Sequence, residues 1–159
     1  MSFESTASLE ATRRTALRLL AGLGLYGISM PAFADAVPGW PADAFKAKTA
    51  DEALVALYGK KFEMSDKVSI DGPDIAENGG VVPISVDTKL PNVTSISILV
   101  AENPNALASS YKLGEGANPA VGCRLKMAKT TKVIAVVESD GKLYAASRDV
   151  KVTLGGCGG

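Results

Sequence analysis

Apolar and polar residues alternate with a period of two along most of the chain after about residue 61. The alternation is clearest in three segments, whose apolar positions are Val82, Ile84 and Val86, then Ile96, Ile98 and Val100, then Val121, Cys123, Leu125 and Met127. This period is typical of a β-strand with one buried face. About seven such strands with polar turns between them favour an all-β, immunoglobulin-like antiparallel β-sandwich. A small barrel is the alternative.

Two segments depart from this alternation. Pro83 cannot donate to a strand ladder, so it predicts an edge strand or a bulge. Residues 132–137 are apolar on both faces, which predicts either a central strand covered twice or a face that meets a partner chain. We therefore expect one of these two segments to contribute to a dimer interface. Ser139-Asp140-Gly141 predicts a hairpin turn.

One short amphipathic helix is predicted ahead of the strands. Thr49 and Glu52 have the spacing of a capping box, in which each side chain bonds the backbone N–H of the other residue. The residues that follow place one apolar face toward the domain, formed by Ala53, Leu54, Leu57 and Tyr58. Gly59 is a natural residue to end the helix.

The first 34 residues have the features of an export signal. Arg13 and Arg14 precede an apolar run over residues 19–30, and Ala32-Phe33-Ala34 fits a cleavage site. Adjacent arginines favour the twin-arginine route to the periplasm; a general secretory signal is the alternative. A membrane anchor is disfavoured because a span needs about 20 apolar residues, so we expect no membrane association of the mature form.

The domain organisation follows from these segments. We expect the signal at residues 1–34, a leader and the helix at 35–60, the sandwich at 61–154 and a flexible arm at 155–159. The whole chain carries 17 basic and 17 acidic residues, so there is no basic surplus for nucleic acid. It contains no histidine, which excludes a histidine-bearing metal site and a Cys-His nucleophile pair. We expect no metal and no other cofactor.

The arm carries the most distinctive chemistry of the sequence. Cys157 lies between Gly155-Gly156 and Gly158-Gly159, and glycine makes a backbone slender and permissive. No histidine or cation adjoins Cys157 to activate its thiol, as an enzyme nucleophile requires. The pattern therefore predicts a carrier of covalent intermediates that are processed in the pockets of other proteins. A thiol enzyme in its own right is a less favoured interpretation.

Cys123, the second cysteine, lies on the apolar side of an alternating strand. This position favours a buried cysteine that acts as a small hydrophobe. An intermolecular disulfide and a pairing with Cys157 remain as alternatives, because an exported protein meets an oxidising compartment.

The final ten residues, VKVTLGGCGG, resemble the C-terminus of the SoxY family. Further likenesses are Ala76-Glu77-Asn78-Gly79 with Val82-Pro83, Arg124-Leu125-Lys126-Met127, and the twin-arginine leader. The resemblance implies a non-catalytic carrier that holds thiosulfate-derived intermediates on Cys157 during periplasmic sulfur oxidation. The family pattern needs only the terminal cysteine, so it leaves the role of Cys123 open.

The resemblance also implies partners. These are an immunoglobulin-like SoxZ subunit in a heterodimer or heterotetramer, the c-type cytochrome SoxAX, the hydrolase SoxB and, in some systems, the sulfane dehydrogenase SoxCD. A rival interpretation of the residues is an exported immunoglobulin-like interaction module, in which Cys157 forms an intermolecular disulfide.

Overall fold

The structure is a computed structural model that describes residues 39–153. The predicted signal, most of the leader, and the arm with Cys157 lie outside this range. The chain divides into two compact units, Met1–Trp40 and Pro41–Gly159. Gly39 and Trp40 are the described residues of the first unit, and all elements below belong to the second. Within residues 39–153, no helix is long and apolar enough to cross a membrane.

Two helices and nine strands form in the described part of the chain. The helices are α1 (Ala42–Lys46) and α2 (Ala50–Tyr58). The strands are β1 (Phe62–Met64), β2 (Val68–Asp71), β3 (Ile75–Ala76), β4 (Val82–Thr88), β5 (Val93–Val100), β6 (Leu107–Lys112), β7 (Ala120–Leu125), β8 (Thr131–Ser139) and β9 (Lys142–Val152). The predicted helix is α2, and α1 is an additional turn of helix ahead of it.

The strands form two sheets. The larger has the order β1-β9-β8-β5-β6, with β3 also paired to β9, and the smaller has the order β2-β4-β7. β1 and β3 run parallel to β9, whereas the other pairs are antiparallel. The predicted immunoglobulin-like β-sandwich is confirmed.

The main core lies between the two sheets and follows the predicted alternation. The inward residues of β4 and β5 are Val82, Ile84, Val86, Ile96, Ile98 and Val100, and each is at most 1% exposed. They belong to one cluster with the inward residues of β8. Removal of this apolar surface from water is the main stabilising contribution to such a fold.

β8 is covered on both faces by its own domain. Its Val133, Ala135 and Val137 belong to the core between the sheets. Val136 faces the other way and packs in a second cluster with Leu54 of α2. The first alternative for residues 132–137, a central strand covered twice, is therefore right. The expected dimer interface on this strand is wrong, because the helices already cover the second face.

The predicted capping box starts α2. Glu52 N donates to Thr49 Oγ1 at 3.2 Å, and Thr49 N donates to Glu52 Oε2 at 3.3 Å. Gly59 ends the helix in the left-handed region with φ +60°, where a residue without Cβ is favoured.

A chain of hydroxyl groups fixes the end of α2 to the larger sheet. Tyr58 Oη lies 2.7 Å from Ser97 Oγ and 3.1 Å from Ser95 Oγ. Ser97 Oγ, which is buried, lies 2.9 Å from Ser110 Oγ on β6. Buried hydroxyls need such partners, because an unmade bond leaves a desolvated polar group. The network therefore fixes where the helix lies on the sheet.

The prediction that Pro83 lies in an edge strand or at a bulge is wrong. β4 is the central strand of the smaller sheet, and its register with β7 runs without a break from Val82 to Asp87. β2, however, ends with Asp71 opposite Ser85. Pro83 therefore pairs with β7 alone, and its missing N–H breaks no bond to β2.

The hairpin between β8 and β9 is confirmed. Asp140 and Gly141 form the two-residue connection with φ of +50° and +73°. Positive φ at both positions is typical of the type I′ turn that matches the twist of the two strands.

We expect Tyr58→Phe to lower the free energy of unfolding by about 1–2 kcal/mol, because it removes both hydrogen bonds between the Tyr58 hydroxyl and the buried serines Ser95 and Ser97. Chemical denaturation measures the change. Tyr144→Phe is the control, since the Tyr144 hydroxyl has no hydrogen bond among the bonds found within residues 39–153. Equal stability of the two variants would show that the hydroxyl chain does not hold α2.

Candidate functional site

The predicted carrier residues Cys157, Gly155, Gly156, Gly158 and Gly159 lie outside the described residues. The structure does describe β9, the strand that leads to them, as far as Thr153. We call the residues that fix this end of β9 the arm base: Asp74, Ala76, Glu77, Gly79, Thr130, Val152 and Thr153.

On one edge, the short parallel strand β3 holds the end of β9. Lys151 N donates to Asp74 O at 2.9 Å, and Thr153 N donates to Ala76 O at 3.1 Å. Thr153 Oγ1 donates to Glu77 O at 3.3 Å. The backbone is thus bonded as far as the last described residue.

On the other edge, a side chain takes over where the strand ladder stops. The pairing of β8 with β9 ends at Thr131 opposite Val150. Thr130 Oγ1 then accepts from Val152 N at 2.9 Å and donates to Val152 O at 3.3 Å. A single hydroxyl therefore satisfies both backbone groups of Val152.

Gly79 closes the arm base between two elements. A Cβ at this position would lie 2.5 Å from Met127 O and 2.7 Å from Val152 Cγ1. Met127 N also donates to Gly79 O at 2.7 Å. Since no side chain fits there, the loop after β3 closely approaches β9 and the segment that follows β7.

An ion pair positions Asp74, which contributes a carbonyl to the arm base. Arg148 Nη2 lies 2.7 Å from Asp74 Oδ1, and Arg148 Nη1 lies 3.5 Å from Ile70 O in the smaller sheet. Because the Asp74 side chain is 87% exposed, the pair adds little stability. Its geometric effect is to link β9, β2 and the start of β3.

Cys123 lies on β7 and is not one of the residues of the arm base. Its thiol is free and half-buried, in the space that β6 shares with β7. Burial raises the pKa of the Cys123 thiol, and the neighbouring side chains of Tyr111 and Ser109 partly oppose that rise. The predicted apolar side of the strand is confirmed, since Cys123 packs against the main core. The alternative of a disulfide between Cys123 and Cys157 stays a prediction, because Cys157 lies outside the described residues.

The described residues offer little else of catalytic type. No group of three or more Cys, Asp or Glu side chains with metal-binding geometry occurs within residues 39–153. The described geometry at the C-terminal end is a strand fixed on two edges that leads toward the segment with Cys157.

The comparison with protein families gives one match. The family described as "Sulfur oxidation protein SoxY" matches residues 54–157, from α2 through the position of Cys157. The chain belongs to the SoxY family. The resemblance expected from the sequence motifs is confirmed.

Solved structures agree with this assignment. The sulfur carrier protein SoxY from Chlorobium limicola f thiosulfatophilum is 40% identical, with a TM-score of 0.61 over 65% of this chain and 96% of that chain. A superoxide reductase (neelaredoxin) from Ignicoccus hospitalis is 19% identical, with a TM-score of 0.50 over 66% of this chain and 93% of its own. The second likeness shows the fold alone. No curated protein matches the chain.

Sequence reasoning did not find Thr130 or Gly79 as members of the site. Gly79 belongs to one of the segments that resemble the SoxY family, but the resemblance assigns it no role, and Thr130 has no distinctive neighbours. Both act on Val152, which is 22 residues from Thr130 and farther from Gly79. Only the folded arrangement brings these three residues together.

We expect Cys123 to react slowly with thiol reagents, because partial burial raises its pKa and leaves less thiolate at a given pH. In a Cys157→Ser background, alkylation at pH 8 should be several times slower in the folded than in the unfolded chain. Tyr111→Phe removes the neighbouring hydroxyl that opposes the rise in pKa, so it should slow the reaction further, whereas Tyr144→Phe should not. Equal rates in folded and unfolded protein would contradict the described environment.

We expect Thr130→Val to loosen the end of β9 alone. The loss of a hydrogen bond worth about 1 kcal/mol should speed hydrogen exchange at the Val152 amide about fivefold. Thr94→Val is the matched control, because Thr94 Oγ1 bonds the Glu138 side chain at 3.1 Å instead. Unchanged exchange at Val152 would mean that Thr130 does not hold the strand end.

Proposed function

We propose that this chain is a covalent sulfur carrier of periplasmic thiosulfate oxidation, with the intermediates held on Cys157. Membership of a family of sulfur oxidation proteins supports it, as does a 40% identical relative described as a sulfur carrier protein. The observation that carries the proposal is the arm base, where β9 is bonded up to Thr153 on the edge facing β3 and up to Val152 on the edge facing Thr130. Such a base suits a segment that presents one thiol from a fixed point.

The first step couples Cys157 to thiosulfate. The thiol and thiosulfate form a Cys–S–S–SO3⁻ adduct through a new S–S bond, with release of one proton and two electrons. The electrons pass to a c-type cytochrome of the SoxAX kind. An oxidant of this class is necessary, because joining two sulfur atoms oxidises both partners.

The second step removes the terminal sulfone. Water attacks it in a hydrolase of the SoxB kind, the S–SO3 bond breaks, and sulfate, two protons and Cys–S–S⁻ result. A sulfane dehydrogenase of the SoxCD kind can then oxidise the sulfur that stays on Cys157. We assign all catalysis to these partners, since the chain has no histidine to serve as a base for its thiol.

The remaining features of the proposal concern location and assembly. Residues 1–34 direct the chain to the periplasm, and the mature protein pairs with a SoxZ-like subunit. The glycines at 155, 156, 158 and 159 make the segment around Cys157 slender enough to enter a pocket. Cys123 takes no part, because it lies half-buried on β7.

We expect Cys157→Ser to abolish the adduct and the turnover of thiosulfate by the reconstituted system. Intact-protein mass spectrometry after incubation with thiosulfate and the partner cytochrome should show the added mass on the unsubstituted chain only. Cys123→Ser is the matched control and should still form the adduct.

Persistent turnover with Cys157→Ser would sink the proposal. A stable Cys157–Cys157 dimer that forms no adduct, even after reduction, would favour the interaction module instead. Non-reducing electrophoresis of the same samples distinguishes these results.

A further inference from the structure

The covalent distance between the arm base and Cys157 is short. Thr153 is held through its own N–H and hydroxyl, and Val152 before it through N–H and C=O. Three residues lie between Thr153 and Cys157, so four Cα–Cα steps join them. At about 3.6 Å per residue, the two Cα atoms cannot be more than about 14 Å apart in any conformation. This bound follows from bond lengths alone.

The bound has a consequence for any protein that acts on Cys157 inside a pocket. If the sulfur is to sit several ångströms below that protein's surface, the remaining tether spans only a few ångströms. The mouth of the pocket must then lie against the surface that surrounds Thr153. The arm base is therefore inside the contact area whenever the thiol is inside a pocket.

Two large apolar side chains are exposed at this place. Ile75 of β3 is 57% exposed and is the register partner of Lys151. Val81 is 51% exposed, and its N–H donates to Asn78 O at 3.2 Å in the loop that contains Gly79.

The residues that follow Ile75 and Val81 are buried. The exposure of Ile75 and Val81 therefore reflects the side to which their side chains point rather than loose packing. Ala76 is 5% exposed and Val82 is 0% exposed, as expected when successive side chains point to opposite faces. Residues 75–81 thus turn one pair of apolar side chains to solvent beside the end of β9, while their buried neighbours face the core.

We propose that residues 75–81 form a docking rim on which the proteins that process Cys157 seat the mouth of their pocket. The occupant is a protein with a deep, narrow pocket edged by apolar side chains that cover Ile75 and Val81. The length of chain between Thr153 and Cys157 supports this occupant, since it brings the surface around the arm base, including residues 75–81, against the pocket each time the thiol is received. The proposal rests on the proposed carrier function.

The chain offers matched controls for a test. Val55 on α2 and Met64 on β1 are also large, apolar and exposed, at 68% and 63%. Val81→Asp is therefore compared with Val55→Asp, and Ile75→Asp with Met64→Asp. Each pair places the same charge on an exposed apolar site, inside or outside the rim.

The measurement is adduct formation on the mature carrier with thiosulfate and the partner cytochrome, with the carrier concentration varied. We expect Val81→Asp and Ile75→Asp to raise the KM for the carrier about five- to tenfold, as for the loss of an interface anchor. The kcat should change less than about twofold, and iodoacetamide should alkylate Cys157 at the rate of the unsubstituted chain. Val55→Asp and Met64→Asp should behave like the unsubstituted chain.

The possible failures are distinguishable. If the unsubstituted chain forms no adduct, the carrier function itself is wrong. If the unsubstituted chain forms the adduct, either of two results overturns the docking rim. One is an unchanged KM for the rim variants, and the other is a KM that rises as much for the control variants as for the rim variants. A rim variant that changes only the sedimentation of the carrier, with KM unchanged, would assign residues 75–81 to a contact between copies of this chain and would also overturn it.

Discussion

The hydrogen bonding of β9 on both of its edges is the constraint on which the rest of the structure depends. β8 pairs with β9 from the hairpin as far as Thr131, while β1 and β3 occupy the two ends of the opposite edge. Near its start, β9 contributes Leu143 to the cluster beneath the helices. Near its end, it becomes the arm base. One strand therefore connects the helix-covered part of the sheet with the segment that bears the thiol.

Local signals explain why much of the fold could be predicted from the sequence. In β4, the alternation of buried and exposed residues is visible within seven consecutive residues. The capping box at Thr49 and the turn at Asp140 each involve only residues that are near in sequence. The SoxY motif is likewise contiguous. Each of these patterns reflects an interaction that the chain makes with itself over a few residues.

Distant contacts explain what could not be predicted. Pro83 suggested that β4 is an edge strand, because a proline cannot donate to a neighbouring strand. The central position of β4 is possible because β2 stops opposite Ser85, which the sequence does not show. The second apolar face of β8 suggested a partner because its cover, α2, lies about 80 residues earlier. Thr130 looked like an ordinary loop residue, since its bonds to Val152 exist only after the sheet has formed. Tertiary context decides all three cases.

The direction of the bonds at the end of β9 also bears on mechanical load. Ladder bonds run across a strand, with a slant where the two strands are parallel, rather than along it. A pull along the axis of β9 therefore strains the bonds from Asp74, Ala76 and Thr130 together. Bonds loaded side by side share a force, whereas bonds peeled from an end fail in sequence. If a partner's pocket holds Cys157 and the chain is pulled along that axis, these bonds therefore resist the force together. The sandwich would then keep its fold while Cys157 leaves the pocket.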